Sequence, residues 1–273
     1  MNSNSNNLIS LIFVLFAICV TTSLARVNYC DSEHKKFCEQ YDGVRMVQKD
    51  HIGCTHRGWH SRCQKQKILP MSTRRKNLLL KLHNRLRNKV AAGKLPGFNS
   101  AKAMNTLVWD DELAYLAELN VQQCHMKHED CRATKRFPKA GQNLGVSGYP
   151  HQFEGKNNMY IKKLVRAWFD EYKDAEMSDL ISYTGLPRSR KVIGHFTGMV
   201  IDKATHVGCA MARYYGSMNE RNPGKGYWFL LACNYSKVNM YQGNTYESGK
   251  ACSGCKDGCH HVYKSLCKPE PEY

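Results

Sequence analysis

Two histidines in the middle of the chain are the first residues whose side chains could do chemistry. His195 lies in the stretch Gly194-His195-Phe196-Thr197, ahead of an apolar run, and His83 lies on or beside the apolar face of a predicted helix. If that helix packs against the segment that holds His195, each imidazole could give one nitrogen to a zinc ion. Two satisfied core histidines are the alternative interpretation, and the spacing alone favours it.

Two further stretches imitate metal sites. Residues 124–131 contain two cysteines and two histidines, and residues 252–261 contain three cysteines and two histidines. In an oxidising compartment these cysteines pair with one another, which removes the thiolates that zinc requires. We therefore expect disulfides and no zinc at either place.

Enzyme motifs are missing from the sequence. It contains no Gly-x-Ser-x-Gly elbow, no His-Glu-x-x-His pair and no phosphate-binding loop. No nucleophile with an activating base is visible.

The first residues indicate export. Leu8 to Val20 is almost wholly apolar, is too short to span a bilayer comfortably, and is followed by Ser23-Leu24-Ala25. This is the pattern of a secretory signal peptide covering residues 1–25. The chain has thirteen cysteines, and loss of Cys19 with the signal peptide leaves twelve, an even number that suits disulfide pairing. We expect a secreted, extracellular protein that is not transmembrane.

The charge of the chain limits its partners. Forty Lys and Arg against 23 Asp and Glu give a formal net charge of +17. Outside the cell such charge favours acidic glycans, anionic cell surfaces or acidic protein receptors. Nucleic acid is the weaker interpretation, because export removes the usual partner and no recognition motif is present. The alternative is that the charge only keeps the protein in solution.

Three regions follow the signal peptide. Residues 26–70 are polar, hold four cysteines and predict an irregular arm; residues 71–246 carry most of the periodicity; residues 247–273 form a short tail with four cysteines. The middle region predicts helices over about 72–93, from about 110, and over 158–172, and strands over 206–215 and 227–235 joined by a hairpin loop. Helices followed by antiparallel strands indicate an α+β sandwich.

Several motifs of the middle region resemble one family. The chain is similar to the CAP superfamily of cysteine-rich secretory, antigen-five and pathogenesis-related proteins, over about residues 78–246, and the arm beginning Asn28-Tyr29-Cys30 resembles the insect antigen-five (venom allergen-like) branch. The motifs that carry the resemblance are Leu107 to Tyr115, Ala140 to Leu144, Ala167 to Glu171, Gly194 to Thr197, Val207 to Cys209, and Leu231 to Tyr235.

The resemblance implies an α-β-α sandwich and a cleft lined by two histidines and two acidic residues. By motif position these residues are His83, Gln142, Glu171 and His195, with Gln142 in place of an acid, as is common in the antigen-five branch. In many members the two histidines bind zinc or another divalent cation, so His83 and His195 are the candidate metal ligands, although no cofactor is required. Gly198 and Ile201 depart from the family motif, which indicates a different cleft lip.

The resemblance also implies the disulfides of the arm and the sandwich. These pairs are Cys30–Cys54, Cys38–Cys131, Cys63–Cys124 and Cys209–Cys233. The four cysteines of the tail are expected to pair among themselves, as Cys252–Cys259 and Cys255–Cys267.

The function expected from these observations is that of a secreted, non-enzymatic binding protein. It would act in saliva, venom, haemolymph or seminal fluid and bind a protein, glycan or cell surface, in reproduction or host interaction. A carrier of lipid or sterol is the first alternative. A metal-dependent hydrolase using His83, His195 and Glu171 is the second, although Gln142 cannot act as a general base.

Overall fold

The structure, a computed structural model, describes residues 27–41, 43–148, 157–185, 189–219 and 222–269. The predicted signal peptide lies outside these residues. Within them, no helix combines the length and the apolar character needed to cross a bilayer.

The N-terminal arm contains more regular structure than its sequence predicts. Its elements are α1 (Ser32–Phe37), β1 (Glu39–Tyr41), β2 (Met46–Gln48), α2 (Ile52–Thr55) and β3 (Gln64–Ile68). The expectation of an irregular arm is wrong because such short elements depend on local caps rather than on apolar periodicity. The Asp31 side chain, for example, accepts the backbone N–H of His34 at the start of α1.

The central sheet has five strands. They are β3, β4 (Val108–Trp109), β5 (Gly141–Gly148), β6 (His206–Asn219) and β7 (Asn222–Tyr235). The order is β3-β6-β7-β5 with antiparallel neighbours, and β4 pairs in parallel with the start of β6. Gly216 pairs with Gly226 and Ser217 with Lys225, so most of the predicted hairpin loop is strand. Ladder pairing uses backbone groups only, and therefore it continues through these small and polar residues.

The three predicted helices are present, and two short ones accompany them. The set is α3 (Thr73–Ala91), α4 (Asp111–Val121), α5 (Asn157–Asp170) with a 3-10 turn at Glu171–Asp174, α6 (Met177–Ile181) and α7 (Gly194–Met199). Helix α4 begins where the acidic pair predicts, because the Asp110 carboxylate accepts the Leu113 N–H at 2.7 Å. Helix α3 ends just before Gly93, which takes φ +66°.

Side chains of β6 and β7 alternate between two cores. Odd-numbered residues from 207 to 211 and from 229 to 235 join the core shared with α3, α5 and α7. Even-numbered residues from 210 to 214 and from 230 to 232 join a smaller core with α4. This period of two places helices on both faces of the sheet. The predicted α-β-α sandwich is therefore confirmed.

Helix α4 lies unusually close to the sheet at Gly208. A Cβ atom built there would lie 2.2 Å from the Ala114 nitrogen and 2.4 Å from the Asp110 oxygen. These are backbone atoms that cannot swing aside, so only glycine permits this approach.

Six disulfides join the twelve cysteines of the described chain. The pairs are Cys30–Cys54, Cys38–Cys131, Cys63–Cys124, Cys209–Cys233, Cys252–Cys259 and Cys255–Cys267. They are the pairs expected from the sequence. Three of the bridges lie in or anchor the arm, and two hold the tail.

The C-terminal tail packs on the sandwich. Its Cys267 N–H donates to Met104 O at 2.8 Å, and Ser265 N–H donates to the Asn88 side chain at 2.9 Å. Leu266 is fully buried in the main core. The tail thus closes one edge of that core.

Candidate functional site

The carboxylate of Glu171 holds both the ring of His195 and the first turn of α7. One oxygen lies 2.6 Å from His195 Nδ1, and the other accepts the backbone N–H groups of His195 and Phe196 at 3.0 and 3.1 Å. The Trp168 ring stacks on His195 with centroids 6.1 Å apart. The imidazole is therefore fixed in orientation, and Nε2 is the ring nitrogen left for a ligand.

Gln142, on β5, binds a histidine that the sequence analysis did not assign to the cleft. Its Oε1 lies 2.6 Å from Nδ1 of His128, and its Nε2 donates to both carboxylate oxygens of Glu129 at 3.0 Å and to Asn234 at 2.9 Å. A glutamate at position 142 would place a second carboxylate against Glu129. This contact gives a physical reason for the amide.

His128 is held in the loop after α4 and belongs to the cleft. Desolvation lowers its pKa, and the positive charges of Arg132 and His195 lower it further. Its partner Gln142 precedes Asn143 on β5, and the Asn143 side chain donates to the backbone oxygen of His195 at 3.0 Å. The structure thus gives two hydrogen-bonded pairs, His128 with Gln142 and Glu171 with His195, which β5 connects; these four residues are called the cleft below. The signal that could have identified His128 is its place in the loop after α4, fourteen residues before Gln142.

His83 does not lie with the other three, and its assignment to the cleft and to metal binding is corrected by the structure. The side chain is fully buried in α3. Its Nδ1 lies 2.8 Å from Leu79 O and its Nε2 lies 2.9 Å from the Tyr235 hydroxyl. Both ring nitrogens are engaged inside the core, which is the alternative that the spacing favoured.

A chain of hydrogen bonds connects this core histidine to the cleft. The Asn143 side chain donates to the Tyr235 hydroxyl at 3.2 Å and to the backbone oxygen of His195 at 3.0 Å. The Tyr235 hydroxyl in turn donates to His83 Nε2 if Nδ1–H donates to Leu79. His83 is thus a positioning residue behind the cleft.

Burial of His83 predicts a loss of stability in acid. Burial lowers its pKa from 6.5 to about 4. Below pH 6.5 the unfolded chain takes up a proton that the folded chain refuses, so the free energy of unfolding falls by about 1.4 kcal/mol per pH unit until pH 4, about 3 kcal/mol in all. Above pH 6.5 this contribution is constant. Urea unfolding from pH 7.5 to 4 is expected to show a shallower decline for His83→Gln than for the unaltered chain. Parallel declines would contradict the assignment.

A second buried group on α3, Arg87, was missed by the sequence analysis. Its guanidinium is fully buried and donates to the backbone oxygens of Asn105, Met199, Ile201 and Ala204 at 2.7 to 3.2 Å. It lies one helical turn after His83, on the same face. Arg87 therefore ties the end of α7 and the segment before β4 to the helix.

The departures at Gly198 and Ile201 lie in the core rather than on a cleft lip. Ile201 is buried in the main core. Gly198 is also buried, and a Cβ there would lie 3.3 Å from the Asn143 side-chain oxygen. A larger side chain at 198 would press on the residue that supports His195.

The donor atoms of the cleft fit a divalent cation only in part. Among the described residues, the one set of three potential ligands within 4.8 Å of one another is Cys38, His51 and Cys131. Its two sulfurs form a disulfide with each other, so no thiolate is available there. In the cleft, His128 and His195 each keep Nε2 while Nδ1 is fixed by Gln142 or Glu171, an arrangement typical of ligating histidines. Two imidazoles leave the remaining positions of a zinc ion to water.

The chain is similar to one protein family and to several known proteins. Residues 80–235 match the model of the family described as "Cysteine-rich secretory protein family" (CAP). "Antigen 5 like allergen Cul n 1" of Culicoides nubeculosus is 50% identical over 210 residues, 76% of this chain and 91% of that protein. "Venom allergen-1" of Aedes aegypti is 38% identical over 259 residues, 94% of this chain and 92% of that protein.

A solved structure agrees in fold. The structure described as NaASP2 with Zn2+ is 25% identical to this chain and has a TM-score of 0.55. The match covers 72% of this chain and 96% of that one. Its helices and sheet correspond to a sandwich of the kind described above, and its zinc is a property of that protein. From the family match, the insect relatives and the shared fold, the chain belongs to the CAP family, in its insect antigen-five branch.

Proposed function

We propose that this chain is a secreted, non-enzymatic binding protein that holds acidic glycans of an anionic cell surface. The observation that carries the proposal is its net charge of +17, on a chain whose first residues indicate export. Its relatives include proteins named as an antigen 5 like allergen and a venom allergen. Its six disulfides suit an oxidising fluid.

Helix α3 supplies one basic face for such a polyanion. It contains no acidic residue, and Arg74, Lys81 and Arg85 are exposed along it without an ion pair among the described residues. Residues at these spacings share one side of a helix. Sulfates and carboxylates of a glycan chain repeat along its length, so such a stripe suits several simultaneous contacts.

The contacts of the cleft speak against catalysis as its main role. Both Glu171 oxygens already accept N–H groups, and Gln142 cannot exchange a proton. The Glu171 carboxylate is therefore not a free general base, and the Nε2 atoms of His128 and His195 are the ring nitrogens left for a ligand. The cleft is therefore better suited to hold a ligand or to maintain the fold than to activate water.

Binding to living cells tests the proposal. Labelled protein is expected to bind cultured cells and to lose most of that binding after the cells are treated with lyases that remove sulfated glycans. Heat-inactivated lyase is the control. If binding persists after complete removal of the glycans, acidic glycans are not the partner, and a protein receptor becomes the better explanation.

A zinc titration tests whether the cleft takes a metal. We expect calorimetry to show weak zinc binding that falls at least about tenfold in His128→Ala and in His195→Ala, because each removes one of two imidazole ligands. His83→Gln is the matched control and should leave the isotherm unchanged. Equal isotherms in all four proteins would exclude a metal site in this cleft.

A further inference from the structure

A cavity of about 490 Å³ lies between the N-terminal arm and the loop after α4. One wall is the arm segment 55–62, and the other is formed by residues 120–130. The Cys63–Cys124 disulfide joins the two walls, and Cys30–Cys54 anchors the arm just before the segment. The walls are thus covalently fixed, so the cavity does not depend on a mobile loop.

Hydrogen-bond donors predominate on the arm wall. His56 accepts the Gly58 N–H at Nδ1, which leaves Nε2 as its protonated nitrogen, and this Nε2 is buried without a partner. Because this nitrogen is closed to water, it does not reach a ligand in the cavity, and the donors available on this wall belong to the two arginines described next. The half-buried Trp59 adds an indole ring to the same wall.

Two guanidinium groups complete this wall. Arg57 uses Nη1 to bind the backbone oxygens of Cys54 and His56, and Arg62 uses Nε to bind the His60 ring. Neither forms an ion pair among the described residues, and their remaining N–H groups stay available. Guanidinium forks bind sulfate and carboxylate in preference to neutral groups.

The acidic side chains that line the cavity differ in how strongly they would repel an anionic ligand. Glu129 is already bound by Arg132 at 2.7 Å and by the amide of Gln142. Asp50 and Asp130 are exposed, and their carboxylates form no hydrogen bond within the described chain. These two are the charges that an anionic ligand would have to tolerate.

We propose that this cavity binds one anionic sugar unit, with its sulfate or carboxylate against Arg57 and Arg62 and its ring against Trp59. The volume suits a ligand of one or two sugar rings rather than a polymer. The inference rests on the proposed function for its ligand class and adds a defined site to it.

The probe is a sulfated heparin disaccharide, measured by calorimetry on the full mature protein. The Arg57→Ala/Arg62→Ala variant is expected to bind it at least about tenfold more weakly, because two charge-assisted contacts are lost. The Lys256→Ala/Lys264→Ala variant removes the same charge from exposed positions of the C-terminal tail, outside the cavity and the α3 stripe, and should bind as the unaltered protein does. Equal weakening in both variants would show that only net charge matters and would overturn the site.

A second variant tests the site while Arg57 and Arg62, and so their contacts within the N-terminal arm, stay in place. Asp50→Asn/Asp130→Asn removes two exposed carboxylates that make no bond, and it should strengthen disaccharide binding severalfold. Unchanged affinity there would count against the cavity. The unsulfated disaccharide and inorganic sulfate serve as further probes. If inorganic sulfate alone binds with the same affinity as the disaccharide, the cavity binds any simple anion, and the proposal that it recognises a sugar is overturned.

Retention of the unaltered protein on immobilised heparin separates the two proposals. If the protein is retained but the disaccharide binds equally to the Arg57→Ala/Arg62→Ala and Lys256→Ala/Lys264→Ala variants, the cavity fails and the proposed function stands. If the protein is not retained, the proposed function fails, whereas disaccharide binding that depends on Arg57 and Arg62 would still support the cavity.

Discussion

Replacing Arg87 with methionine is expected to lower the free energy of unfolding by about 4 kcal/mol. Methionine fills much of the space but offers no donor, so the backbone oxygens of Asn105, Met199 and Ala204 lose the guanidinium, while Ile201 O keeps the Ala204 N–H. Each unsatisfied buried acceptor costs about 1–3 kcal/mol before the surroundings relax. The loss is a large share of the 5–15 kcal/mol that ordinarily stabilises a domain.

The same substitution also isolates a negative charge. Asp202 is buried and accepts the backbone N–H groups of Lys203 and Glu247 at 2.7 and 3.0 Å. Its attraction to Arg87 opposes the effect of burial, which lowers the pKa of the arginine to about 10. Without Arg87 this carboxylate keeps its backbone bonds but loses its nearby cation, and the cost rises further.

Urea unfolding at neutral pH measures the effect of Arg87→Met. Arg85→Met is the matched control, since Arg85 is exposed on the same helix and should change stability by less than about 0.5 kcal/mol. Similar losses in the two variants would contradict the role assigned to Arg87.

Removal of the Cys38–Cys131 bridge is expected to cost about 3–5 kcal/mol. The two cysteines are 93 residues apart, and both are buried. The bridges Cys30–Cys54 and Cys63–Cys124 shorten the effective loop to roughly 30 residues, which brings the chain-entropy value toward the lower end of that range. The bridge attaches the arm to the loop after α4, so the arm should also become sensitive to protease.

The variant Cys38→Ala/Cys131→Ala tests this by thermal or urea unfolding with limited proteolysis. Cys252→Ala/Cys259→Ala is the comparison, because its cysteines are 7 residues apart and the same relation gives about 2 kcal/mol. A smaller loss for the longer loop, with the arm still resistant to protease, would show that packing rather than the bridge holds the arm.

The periodic elements were predictable from the sequence because burial determines them. Leu79, Leu82, Leu86 and Val90 recur at helical spacing and lie in or against the main core. Strand β5 was not predicted as a strand, since the sequence Gly141 to Gly148 is rich in glycine and polar residues of low strand propensity. It is a strand because β7 pairs with it along its whole length. Tertiary pairing of this kind leaves little trace in the local sequence.

The cleft was predicted in three of its four described side chains. Gln142, Glu171 and His195 were found through motif resemblance; in the structure Glu171 binds His195, and Gln142 binds His128. His83 was assigned by the same resemblance, and its place on an apolar helix face also describes a buried histidine. His128 follows an irregular loop next to cysteines, where no periodicity indicates which way a side chain points. Distinguishing the two required the three-dimensional contacts.

The central claim is that positive charge binds this protein to acidic glycans, and its most direct test is the salt dependence of that binding. Equilibrium binding of the mature protein to a long heparin chain is measured from 50 to 500 mM NaCl. Release of counterions from a polyanion predicts a straight decline of log K with log salt, with a slope that reports several ionic contacts. Binding that is absent at low salt, or that does not change with salt, would contradict the account.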